Sequence, residues 1–288
     1  MKKLGISAAL LTPFSAEGQI DFDRFVSHAC KLLNNGAASV TIFGTTGEGA
    51  SVSPDERRAG LTKLVAEGIP PDAIIQTIYA TSVDEAVAQA ASGLEAGASN
   101  FLLVPPFYFK DCMDDGLLDW HAQFFAKVDP RARFILYHIP KVTGVALSPQ
   151  LVARMSARFP DRLLAVKDSS GSWDNASDLL ALDAIPVLVG DERLLHRAAD
   201  LGAAGAITGM ANLYPDRMHR IFSTATEDLV LSAEVTRIVA QPVVPALKAL
   251  LSQQAGDPGW LRVRAPLEPL SADAHRMLVV QSASAPTC

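Results

Sequence analysis

Lys167 ends an apolar run, Leu163-Leu164-Ala165-Val166, that reads as a buried strand, and the turn-forming Asp168-Ser169-Ser170-Gly171 follows at once. A lysine there faces a site rather than open solvent. Moving an ammonium into a partly apolar pocket disfavours its charged form, and the neutral amine that results can attack a carbonyl carbon. A lone strand-end lysine more often snorkels to water, so the chemistry depends on its company. Other apolar runs end in Gly44-Thr45-Thr46-Gly47-Glu48-Gly49, Pro105-Pro106-Phe107-Tyr108, Tyr137-His138-Ile139-Pro140 and Gly190-Asp191-Glu192. The glycines around Thr45 and Thr46 permit a tight turn that presents N–H groups and hydroxyls to a carboxylate. Singly, each feature has a plain reading: a turn with capping threonines, a core tyrosine, a glutamate that starts a helix. Together, hydroxyls, a phenol and an amine at neighbouring strand ends can bind a 2-keto acid, form an imine and shuttle protons.

The elements that must carry these residues follow from hydrophobic periodicity. Short apolar runs at Leu4–Leu11, Ala38–Phe43, Ala73–Ile78, Asn100–Val104, Phe134–Tyr137, Leu163–Lys167, Pro186–Val189 and Gly205–Ile207 read as strands. Between them, Asp21–Asn34, Ser53–Glu67, Ser82–Ala96, Asp114–Lys127, Ser148–Phe159, Trp173–Leu182 and Glu192–Leu201 place apolar residues at helical spacing, several behind a Ser or Asp N-cap. Tyr214–Phe222 supplies an eighth helix. Strict alternation implies a parallel sheet, and eight units favour an α/β fold closed as a (β/α)8 TIM barrel over an open doubly wound sheet. The barrel is expected over residues 1–223. Residues 224–288 read as a helical C-terminal extension, with helices at Glu227–Ala240 and Val244–Gln253 and a frayed tail from Ser282 to Cys288. In such a barrel, chemistry sits where the strands end.

Composition narrows the partners. A hydrophobic fraction of 49% with only 19% charged residues can bury a large core, and the net charge of −6 comes without any lysine or arginine block. Nucleic acid and anionic membrane are therefore poor partners, and small molecules good ones. Cys30, Cys112 and Cys288 share no metal-ligand or redox spacing, which fits a reduced compartment. Neither a signal peptide nor a membrane span is evident, so a cytoplasmic protein is expected. His28, His121, His196, His219 and His275 fall in helical stretches without ligand spacing, and no metal is expected.

Gly44-Thr45-Thr46-Gly47-Glu48, Tyr137-x-x-Pro140 and Val166-Lys167-Asp168 occur in the order and spacing of the dihydrodipicolinate synthase / N-acetylneuraminate lyase family. Thr12-Pro13-Phe14, Gly190-Asp191 and Gly202-Ala203-Ala204-Gly205-Ala206-Ile207-Thr208 extend the resemblance over nearly the whole chain. It implies a class I, Schiff-base lyase or aldolase acting on pyruvate or a related 2-keto acid and an aldehyde, without a cofactor beyond the covalent imine. It also implies a homo-oligomer, usually a tetramer built as a dimer of dimers. By the same resemblance Lys167 forms the imine and Tyr137 is the general acid/base. Thr46 links Tyr137 to a second tyrosine, Tyr108, that comes from the neighbouring subunit. Thr45 and Thr46 grip the keto-acid carboxylate, and Ile207 packs against the keto acid.

The sequence departs from the family pattern beside the imine. The arginine that binds the aspartate-semialdehyde carboxylate in dihydrodipicolinate synthases is here Val142, and loss of that bidentate fork costs several kcal/mol of recognition, on the order of a charged hydrogen-bonded pair. Lys141 is adjacent and is expected to point elsewhere. His138 and Asp168-Ser169-Ser170 also differ, and resemble the looser group acting on 2-keto-3-deoxy sugar acids, where Asp191 and Glu192 accept hydrogen bonds from substrate hydroxyls. The expected substrate is thus a 2-keto-3-deoxy sugar acid. Dihydrodipicolinate synthase itself, an aromatic hydratase-aldolase using an apolar second pocket, and a keto-acid-binding protein without turnover are the alternatives.

Overall fold

A computed structural model of the chain describes residues 3–283. Eight parallel strands close into a barrel in sequence order: β1 (Gly5–Ala9), β2 (Ser39–Ile42), β3 (Ile74–Ile78), β4 (Asn100–Leu103), β5 (Arg133–His138), β6 (Leu163–Asp168), β7 (Val187–Val189) and β8 (Gly205–Thr208). Helices α1 (Phe22–Asn34), α2 (Pro54–Ala66), α3 (Val83–Glu95), α4 (Asp114–Lys127), α5 (Pro140–Thr143), α6 (Pro149–Arg158), α7 (Trp173–Ala181), α8 (Leu195–Asp200) and α9 (Pro215–Thr224) accompany the strands. Three more, α10 (Leu229–Val239), α11 (Val243–Ala255) and α12 (Ala272–Ala283), follow the barrel. The fold is a TIM barrel.

Local chemistry sets the helix starts. Asp21, Ser82, Ser148, Ser172 and Asp228 each accept a backbone N–H at a helix N-terminus, and Ser53 with Glu56 completes a reciprocal capping box. Two expectations are corrected. Glu192–Leu201 is not one helix but a 3-10 turn, Glu192–Leu194, that leads into α8. Helix α12 reaches Ala283 through residues expected to fray, while residues 284–288 of that expected tail lie outside the described residues.

Strand parity divides the core in two. One set, including Phe101, Phe134, Leu136 and Val166, packs outward under the helices. The other, including Leu102, Ile135, Tyr137, Ala165, Leu188 and Ile207, fills the barrel interior. Between β5 and β6 the register shifts: Phe134 pairs with Leu163, but Ile135 pairs with Ala165, so that Tyr137 stands opposite Lys167. Without that irregularity Tyr137 would face Val166, and Lys167 would point into the helix layer. A bulge beside a site re-aims a side chain in this way.

Candidate active site

Lys167 is 5% exposed. It enters the barrel interior two residues beyond inward-facing Ala165, and its Nζ donates to the Tyr137 hydroxyl at 3.1 Å. Nζ also sits 4.2 Å from the centre of the Tyr137 ring. Burial alone would push the Tyr137 phenol up, but the charge of Lys167 and hydrogen bonds with Thr45, Lys167 and Ser169 outweigh it and hold the phenol below its ordinary range. A phenol so poised gives up and recovers a proton readily.

The Thr45 hydroxyl lies 3.4 Å from the Tyr137 hydroxyl and 3.3 Å from that of Tyr79, just beyond β3. This corrects the expected relay, since Thr45 rather than Thr46 contacts Tyr137. Thr46 instead lines the pocket above. Among the described residues the backbone N–H groups of Thr45 and Thr46 have no hydrogen-bond acceptor, which leaves them free to hold a carboxylate. The loop closes at Glu48, which adopts left-handed backbone angles (φ 55°) that cost a non-glycine residue about 1–2 kcal/mol. Its carboxylate is anchored on both oxygens, one by the Lys248 ammonium and the other by the backbone N–H of Arg264 at 2.7 Å. The extension thus holds the loop in place.

A cavity of about 450 Å³ opens over this group. Its floor carries Thr46, Ile139, Ser169 and Gly190, with Tyr137 and Lys167 two residues before Ile139 and Ser169 in their strands. Gly190 is required there, because a Cβ would stand 2.1 Å from the Ser169 hydroxyl. One wall is polar, with Lys141, Ser170, Asp191, Glu192 and Arg193. The facing wall is aliphatic and comes from the extension: Val235, Ile238 and Val239 of α10, and Val243 and Leu247 of α11.

Glu192 belongs to the polar wall. One of its oxygens accepts from the Thr208 hydroxyl and from the Met210 N–H at 3.0 Å. Burial raises its carboxyl above the usual range, against those two hydrogen bonds and with a small push from Asp191. Asp191 is held by Arg193 at 2.7 Å and also accepts the Arg193 N–H at 3.0 Å, so its carboxylate is largely occupied within the wall.

Two further expectations change. His138 is not a substrate contact: strand parity turns it out of the barrel, where its Nδ1 accepts the Leu147 N–H at 2.9 Å and its Nε2 lies 3.9 Å from Asp168. Lys141 does not point elsewhere but lines the pocket. His28 and His121 are buried; His28 bonds Asn212 at 3.1 Å, the Nδ1 of His121 lies 2.7 Å from the Leu117 carbonyl, and burial lowers both imidazoles to about 4. Val142 lines the cavity rim and is 63% exposed. Ile207 is buried in the barrel interior. Tyr108 is 75% exposed on the loop after β4, edge-on to Phe109. Tyr79, Ser169 and the extension wall are additions. Tyr79 obeys the same strand-end rule as the other candidates, whereas the wall has no local signal.

A buried lysine paired with a phenol at the C-terminal mouth of a (β/α)8 barrel defines a class of lyase. The dihydrodipicolinate synthetase family matches residues 2–281. The chain is 32% identical over 278 residues to an uncharacterized DapA-like lyase of Chloroflexus aurantiacus, covering 93% of this chain and 92% of that one. It is 29% identical to the 4-hydroxy-tetrahydrodipicolinate synthase of a Cyanothece species, with 96% and 95% covered. The crystal structure of a dihydrodipicolinate synthase from Agrobacterium tumefaciens superposes with a TM-score of 0.95 at 42% identity, over 98% of this chain and 99% of that one. The chain belongs to the dihydrodipicolinate synthetase family and is a class I lyase. No described helix is long and apolar enough to cross a membrane.

Proposed function

We propose that Lys167 forms a Schiff base with pyruvate or a closely related 2-keto acid, and that the enzyme cleaves, condenses or dehydrates a 2-keto-3-deoxy sugar acid. The observation that carries this reading is the 3.1 Å contact between Lys167 and Tyr137 beneath the cavity. The free N–H groups of Thr45 and Thr46 receive the keto-acid carboxylate. Tyr137 protonates the departing oxygen as the imine forms, then accepts a proton when the enamine is made. The protonated imine is the electron sink for C–C or C–O cleavage. Sugar hydroxyls meet Ser169, Ser170 and Glu192 along the polar wall.

A second reading is condensation of pyruvate with aspartate semialdehyde. Relatives carry the name of that synthase, and Lys141 brings a cation into the pocket although Val142 replaces the arginine. Borohydride reduction with pyruvate, followed by peptide mass spectrometry, tests the imine: an adduct on Lys167 supports both readings, and its absence on folded protein overturns both. Turnover of a panel of 2-keto-3-deoxy sugar acids, set beside a coupled assay with pyruvate and aspartate semialdehyde, separates them.

A further inference from the structure

We infer that His138 and Asp168, paired on the helix side of β5 and β6, fix the register in which Tyr137 meets Lys167, and that both are positioning residues for the reaction. The pairing stands on geometry; its consequence for turnover rests on the imine reading. Beyond the register shift, Ile135, Leu136, Tyr137 and His138 stand opposite Ala165, Val166, Lys167 and Asp168. Successive residues of a strand alternate faces, so the inward pair Tyr137–Lys167 is followed at once by the outward pair His138–Asp168. Carried on from Phe134 opposite Leu163, the upstream register would instead set Tyr137 against Val166 and His138 against Lys167. The apolar residues discriminate poorly between the two arrangements. Leu164 and Ala165 are consecutive, yet both touch the interior core, and short aliphatic side chains are buried on either face of a barrel sheet. The polar residues discriminate well. In the continued register Lys167 would lie in the helix layer against an imidazole, and Asp168 would turn inward, away from His138. A buried charge without its partner is strongly unfavourable, and a buried polar pair is suited to fixing register.

The two side chains are 5% and 2% exposed. Because Nδ1 of His138 accepts the Leu147 N–H at 2.9 Å, the ring proton is on Nε2, which faces an Asp168 oxygen at 3.9 Å. That contact is electrostatic, longer than a hydrogen bond. The same oxygen accepts the Ser170 N–H at 2.9 Å. Two backbone bonds of 2.8 Å complete the brace, from the Ser169 N–H to the His138 carbonyl and from the Gly190 N–H to the Asp168 carbonyl. Burial pulls the imidazole below its ordinary range against the attraction of Asp168, so the ring is neutral near pH 7. One ring and one carboxylate thus tie the segment before α6 to the loop after β6. These are the two segments that bring Ile139, Lys141, Ser169 and Ser170 to the cavity.

Tyr137 and Lys167 each precede a member of the pair by one residue, so any slip of either strand end alters their 3.1 Å contact. Misplacing a reacting group by about 1 Å can cost about 100-fold in rate. Strand parity turns His138 and Asp168 away from the cavity. They act through their neighbours, not on substrate.

The test sets two measurements on the full-length protein side by side. One is deuterium incorporation at C3 of pyruvate in D2O, followed by NMR. The other, made without keto acid, is the ultraviolet titration of the Tyr137 phenol, isolated by subtracting the Tyr137→Phe protein. His138→Asn keeps an acceptor for the Leu147 N–H but does not reach Asp168. It is expected to slow exchange at saturating pyruvate about 10-fold or more, with the half-saturating concentration little changed, because the keto-acid carboxylate is held from the loop after β2. The Tyr137 phenol should rise in the same protein as the Lys167 charge moves away. His138→Gln, whose amide extends toward Asp168, should return most of the rate. Asp168→Asn should reproduce the loss, and the His138→Asn/Asp168→Asn pair should lose no more than the worse single variant. Full exchange in both single variants, additive losses, an effect confined to half-saturation, or slowed exchange with an unmoved Tyr137 titration would overturn the inference. If His138→Asn does not fold, Asp168→Asn and His138→Gln decide by the same two measurements. Failure of borohydride trapping in the unmodified protein would instead overturn the imine reading, and the Tyr137 titration would still judge the pairing.

Discussion

At the barrel mouth Lys167 is 5% exposed and its ammonium touches one phenol. At the seam between barrel and extension, Lys248 is wholly buried and bonded both to the Glu48 carboxylate and to the Arg262 carbonyl at 2.6 Å. Each lies over an aromatic ring, Tyr137 at 4.2 Å and Phe14 at 4.5 Å. Burial and a ring are thus common to both, and neither marks a reactive lysine. What differs is the supply of acceptors. Lys248 has a charged partner and a carbonyl, and although burial lowers it to about 8 against the pull of Glu48, it stays charged at neutral pH. Lys167 has a partner that can itself give and take protons.

Exchanging the roles should therefore fail in opposite ways. Lys167→Ala is expected to abolish the borohydride adduct and to lower turnover by about four orders of magnitude or more, with unfolding in urea little changed. Lys248→Ala should leave residual imine trapping in whatever protein folds, yet cost about 3–5 kcal/mol of stability, because Glu48 remains buried without its charge partner. Adding Glu48→Gln should return part of that loss. Comparable stability losses in the Lys167→Ala and Lys248→Ala proteins would break the contrast.

Acid should act on the buried imidazoles of the folded chain. His28 packs 4.9 Å from Trp260 of the extension, and burial lowers it to about 4 from its ordinary value near 6.5. Between those values the unfolded chain binds a proton that the folded chain refuses. Stability is thus complete above about pH 6.5 and falls as pH drops toward 4, by about 3 kcal/mol for His28 and a similar amount for His121. Urea midpoints measured across that range should show the fall, and His121→Phe should remove about half of it. The smallest effect belongs to the rim. Val142→Arg, at a position 63% exposed, should raise kcat/KM for aspartate semialdehyde about 10-fold with little change in stability. No gain in the coupled assay would indicate that the rim does not face that carboxylate.

The strands, most helices and the amine-phenol pair were legible because each carries a local signature: apolar runs, N-caps and turn residues after strands. The face of His138 was legible too, since it follows Tyr137 in a strand of period two and must point the other way. What local pattern cannot reveal is the register shift after Phe134, which decides whether Tyr137 and Lys167 meet at all. Neither does it show which of two adjacent threonines turns inward, or that Lys141 swings to the pocket. The aliphatic wall lies far along the chain from the strand ends, and helical periodicity there signals only burial.

Leu247 and Lys248 are consecutive on α11, one facing the pocket and the other the buried seam. Leu247 also touches the barrel, its Cδ1 lying 2.9 Å from where a Cβ on Gly209 would stand. Selectivity and folding therefore share one helix, a residue apart. A library aimed at new aldehydes can randomise the exposed positions 239 and 243 with little loss of expressed protein. One that runs on into position 248 would be dominated by clones that never accumulate, and screening would mistake their silence for a lack of activity.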